Sequence, residues 1–130
     1  MLRLLAKWWA KRRYIWKEEF EAAIADLNAK SALSQAQDKR DLIDEVKKEA
    51  DAIAENIKRV AAEDAGKALT GKEQYEADQE RKDAEKILQS KRDDAEKQLP
   101  DEITKHEATA NHFRRQAAQA REFADRLRRL

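Results

Sequence analysis

Apolar residues recur at alternating three- and four-residue spacings through the middle of this chain: Ile43, Val46, Ala50, Ile53, Ile57 and Val60. That spacing is a heptad seam along one face of an α-helix. Traced backwards, the same phase meets Lys39 and then Ala36, Ala32, Ala29, Ala25 and Ala22. An alanine seam lets two helices approach closely but buries little area per residue. Traced forwards, the phase meets Asp64 and Lys67 and fails. The helix is therefore expected to end near Gly66, a residue suited to a left-handed C-terminal cap.

Thr70, Gly71, Lys72 and Glu73 read as a capping box that starts a new helix. The threonine side chain can accept from the backbone at Glu73 while the glutamate reaches back. The stripe that follows is weak: Tyr75, Ala84, Ile87 or Leu88, Ala95 and Leu99. Pro100 has no backbone N–H and biases Leu99 away from helical geometry, so a boundary is expected there. Asp101 and Glu102 behind it suit a helix first turn. The last segment carries a clean seam of Ile103, His106, Ala110, Phe113, Ala117, Ala120, Ala124 and Leu127.

The fold class that follows is all-α. The expected segments are an N-terminal helix over 1–20 running into an arm over 21–65, a turn at 66–71, a helix over 72–99 and a C-terminal helix over 100–130. Ser34 followed by Gln37 is a weaker capping signal. If the first helix breaks near 30–36, four segments near 1–30, 35–65, 71–98 and 101–130 make an elongated up-down four-helix bundle. If it does not, two long arms make an antiparallel helical hairpin or coiled coil. Either arrangement brings the two termini to one end.

Composition sharpens this picture. Charged residues make up 42% of the 130 residues, with two glycines and one proline, which is the composition of long helices rather than of an α/β enzyme. The helical period of the apolar residues argues for order over disorder. The inventory of large aliphatics is thin, so oligomerisation or docking into a larger assembly is expected.

The net charge of +1 hides an asymmetry. Residues 1–17 hold six basic residues and no acid. Residues 114–130 hold Arg114, Arg115, Arg121, Arg126, Arg128 and Arg129 against Glu122 and Asp125, and residues 18–113 are net −9. Two basic ends flank an acidic centre and should converge on one pole, which suggests contact with an anionic surface or acidic partners.

The first segment also holds all three tryptophans. On a helical wheel Leu2, Leu4, Leu5, Trp8, Trp9, Ile15, Trp16 and Phe20 spread over somewhat less than half the circumference. Arg3, Lys7, Lys11 and Lys17 take most of the other side, and Arg12 interrupts the apolar arc. The candidate binding residues are Leu5, Trp8, Trp9, Trp16 and Phe20, rimmed by Lys7, Lys11, Arg12 and Arg13. Three destinations fit such a face. It can pack against protein, within its own bundle, on a second copy or in a partner's groove. It can lie in an anionic membrane interface. It can serve a nucleic-acid-binding pole, with the C-terminal arginines contributing. Protein packing is the leading expectation, and the candidate helix-packing seam comprises Ile43, Val46, Ile53, Ile57, Val60, Ile103, Phe113 and Leu127.

Chemistry has no visible carrier. The chain lacks cysteine, so disulfides and thiolate metal sites are excluded. His106 and His112 are six apart and point to different helix faces. No zinc-binding His-Glu-x-x-His, no Glu-x-x-His di-iron pair, no phosphate-binding glycine loop and no nucleophile elbow is present. The expectation is a non-catalytic protein with no cofactor, no metal and no small-molecule substrate. No apolar run reaches the roughly 18–20 residues needed to span a bilayer, and the start lacks the uninterrupted apolar core of a secretory signal. A cytoplasmic, membrane-peripheral or virion-interior setting is expected. The acid-free amphipathic start also has the character of a mitochondrial presequence.

Overall fold

The computed structural model describes every residue from Met1 to Leu130 and contains no strand. Helix α1 spans Leu2–Ala65, α2 spans Gly71–Asp93 and α3 spans Leu99–Arg129, with a single π turn at Asp94–Gln98 joining the last two. The fold is all-α, a helical hairpin. Ser34 starts no helix, since α1 runs through it without interruption. The break that a four-helix bundle would need is therefore missing. A Ser-x-x-Gln signal does not outweigh a continuous seam of alanines that favour helix on both sides of it.

The turn between α1 and α2 departs from expectation in one respect. Gly66 does not adopt a left-handed conformation, for no glycine has positive φ. The last turn of α1 instead tightens: Gly66 N–H donates to the Glu63 carbonyl (3.2 Å) and Lys67 N–H to the Asp64 carbonyl (3.1 Å). These i→i+3 bonds satisfy carbonyls that a left-handed cap would otherwise serve. Thr70 caps α2, its side chain accepting from Glu73 N–H at 3.3 Å. Gly71 occupies the first turn of α2, and a Cβ added there meets nothing within 4 Å. Gly71→Ala should therefore raise stability by about 0.5 kcal/mol through loss of unfolded-chain entropy, measurable by urea unfolding.

At Pro100 the chain does not break. Leu99 is helical (φ −66°, ψ −43°), and its N–H donates to the Asp94 carbonyl five residues back. A proline ring clashes with the carbonyl one α-turn upstream, and a wider π turn relieves that clash. The π turn also absorbs a misfit in the seam. Shielded positions run backwards from Ile103 through Leu99, Ala95 and Lys91, three successive spacings of four. Along α1 the corresponding positions alternate three and four. One extra residue in a wide turn restores the phase.

The chain forms two compact units, residues 1–37 with 104–130 and residues 38–103. In the first, Ala22 and Ala25 pack with Ala117, and Ala29 and Ala32 pack with Ala110, flanked by half-buried Leu33 and Phe113. Arg121 pairs with Asp26 and Arg128 with Glu19 across this seam. In the second, Ala50, Ala95 and Leu99 are buried, while Ile43, Val46, Ile53, Ile57 and Ile103 are half-buried. The seam there is interrupted by two lysines that find carboxylates: Lys39 with Glu102 (3.0 Å) and Lys91 with Glu49 (2.7 Å). Such half-exposed pairs contribute at most about 1 kcal/mol each, but they keep an amine on the seam from being left without a partner. Ten alanines and one leucine make up the whole buried apolar set. The helices are thus held by close approach and not by bulk.

Candidate docking face on the N-terminal helix

The alanine seam decides where the tryptophans go. At about 100° per residue, Trp9, Trp16, Phe20 and Leu27 fall within about 40° of one another, roughly opposite Ala25 and Ala29. Ala22, Ala25 and Ala29 are buried, whereas Trp9 and Trp16 are each 65% exposed, Phe20 52% and Leu27 64%. Packing within the first unit uses the alanine face, so the aromatic face points outward. A ring as large as tryptophan cannot enter a seam whose spacing is set by methyl groups.

The outward side chains order one another. The Trp16 and Phe20 rings stack at 5.4 Å with an interplanar angle of 14°. Trp8 and Trp9 meet edge to face at 5.3 Å, and the Arg12 guanidinium lies 5.1 Å over the Trp8 ring. Arg12, an interruption of the apolar arc on the wheel, is therefore folded onto an aromatic face in a cation–π contact.

Pairing between α1 and α3 begins near Lys11, whose Nζ donates to the Arg128 carbonyl at 3.4 Å. Residues 1–10 are exposed throughout. In the same unit, Arg121, Arg126 and Arg128 are engaged by Asp26, Glu122, Asp125 and Glu19. The two basic ends do converge, but much of the C-terminal arginine charge is neutralised locally. Lys7, Arg13 and Lys17 have no carboxylate partner.

Leu5 is 52% exposed and Trp8 48%, on the stretch that precedes α3 pairing. Phe113 and Leu127 are half-buried on α3. Val60 is 44% exposed, more open than the rest of its seam. Tyr75 is exposed, and Leu88 rather than Ile87 is the shielded member of that stripe. In the second unit small residues, Ala77 and Ala84, face Ile53 and Ile57, and an open groove remains beside them. His106 is half-buried on the seam and His112 rests against the Phe113 ring at 5.7 Å.

Two members of the outward face escaped the sequence reading, Ile24 and Leu27. Leu27 lies seven residues after Phe20, so a second heptad phase parallel to the alanine phase would have found it. No three His, Cys, Asp or Glu side chains gather in a metal-binding arrangement, and no helix is long and apolar enough to cross a membrane. No protein-family model, no curated protein and no solved structure matches this chain.

Proposed function

We propose that this protein is a non-catalytic helical component of a larger assembly, docked through the outward face of its N-terminal helix. One observation carries the reading. The residues that hold the helices together and the residues with the greatest capacity to bind something else lie on opposite faces of α1. Ile24, Leu27, Phe20, Trp16, Trp9, Leu5 and Leu2 make an apolar strip far more continuous than the scattered exposed hydrophobes of an ordinary surface. Tryptophan supplies large contact area at small entropic cost, which suits an anchor.

The test is cell fractionation of the full chain beside Trp9→Ala/Trp16→Ala. Both rings are largely exposed, so the double variant should keep the helical circular dichroism and lie within about 0.5 kcal/mol of the parent in stability. The parent is expected in the particulate fraction and the variant in the soluble one. Equal distribution of the two folded proteins would end the docking proposal.

A further inference from the structure

We infer that the surface met by this face is an anionic lipid leaflet, with the stretch ahead of the α3 pairing lying in its interface. The inference rests on the docking proposal above and names what the face docks to.

The breadth of the apolar arc is the first argument. Before α3 begins to pair, Leu4, Trp8, Leu5, Trp9 and Leu2 spread over about 160° of the helix at 100° per residue. All five are about half exposed or more. A single partner helix buries a narrow stripe, so it would cover either Leu4 and Trp8 or Leu5 and Trp9 and leave the other pair wet. A planar interface covers both at once. Arg3, Lys7 and Lys11 occupy the complementary arc, where they would reach phosphates while the rings sit at headgroup depth.

Charge is the second argument. Residues 1–17 contain six basic residues and no acid. Two copies of the chain meeting through this face would bring two such segments together, which disfavours self-pairing. A nucleic-acid backbone would satisfy the lysines and arginines but leave the Leu and Trp arc without a function. Three of the six C-terminal arginines, Arg121, Arg126 and Arg128, are also already paired with carboxylates, which weakens the case for phosphate binding at that end. An anionic leaflet uses both properties of the segment together. Arg12 contributes in the same geometry, since its guanidinium rides on the Trp8 ring and would enter the headgroup layer with it.

The experiment is co-sedimentation of the full chain with vesicles of phosphatidylcholine alone and of phosphatidylcholine with one-third phosphatidylserine. It is run at low and physiological ionic strength, with tryptophan emission followed in parallel. Binding to the anionic vesicles with a blue-shifted emission is expected, at least tenfold stronger than to the neutral ones. Lys7→Gln/Arg13→Gln/Lys17→Gln should weaken it on the order of 100-fold, about fivefold per charge. Trp8→Ala/Trp9→Ala should abolish the blue shift and most of the binding while circular dichroism stays unchanged. Equal binding to both vesicle types, or none by the folded chain, overturns the inference. So does binding to duplex DNA that matches the anionic vesicles in strength and survives loss of Trp8 and Trp9. If vesicles fail while Trp9→Ala/Trp16→Ala still releases the protein from the particulate fraction, a protein groove replaces the lipid and the docking proposal stands. If neither assay responds, both fall.

Discussion

Ala110→Leu is expected to cost about 1–3 kcal/mol of stability. Ala110 has no exposed surface and packs with Ala29 and Ala32, beside Leu33 and Phe113. Helices that meet through methyl groups sit close, and three extra carbons at the contact must push them apart or take a strained rotamer. Separation would also pull Arg121 from Asp26 and loosen the neighbouring cluster of Ala22, Ala25 and Ala117. For a chain of this size the melting temperature should fall roughly 3–10 °C. Ala118→Leu is the control, because Ala118 is exposed on the same helix and should change stability by no more than about 0.5 kcal/mol. Equal urea midpoints for the two variants would mean that the seam is not tight.

Leu99→Ala is expected to cost about 2–4 kcal/mol for the opposite reason. Leu99 is the one large side chain in the buried set, 7% exposed among ten alanines. Truncation removes three buried carbons from a seam whose other large aliphatics are only half-buried, and the space they leave is only partly refilled. Its position is set by the π turn, whose bond from Leu99 N–H to the Asp94 carbonyl orients the helix at that point. Ile87→Ala removes a comparable aliphatic that is 53% exposed and should cost less than about 1 kcal/mol. Urea unfolding of the two variants side by side gives the comparison. A loss at Leu99 no larger than at Ile87 would refute this account of the core.

Much of the fold was legible because helix packing repeats. The positions from Ala22 to Ile57 and from Ile103 to Leu127 that the spacing marks are the ones the structure shields, apart from gradations between alanine and larger residues. A periodic seam with strong helix formers leaves little choice of face. The turn at 66–70 was legible in place but not in conformation, because a tightened last turn and a left-handed cap both end a helix and satisfy its carbonyls. Pro100 was misleading for a local reason. Sequence rules weigh proline against an α-turn, and the chain answers with a π turn that no residue type announces. The open groove beside Ile53 and Ile57 follows from the small residues opposite, a matching of two segments that neither shows alone.

By itself the sequence determined the helical class, the seam residues, the place of the chain reversal and the segregation of charge and tryptophan into the first segment. All of these follow from short-range periodicity and composition, which a linear chain carries in full. The tertiary structure alone decided which of two apolar faces on α1 is used for folding. Both faces have heptad spacing, and only a partner helix with its own alanines selects the small-residue face, because close approach there excludes rings from the contact. That selection turns Trp9 and Trp16 outward, while Trp8 lies among residues 1–10, which precede the α3 pairing and are exposed throughout.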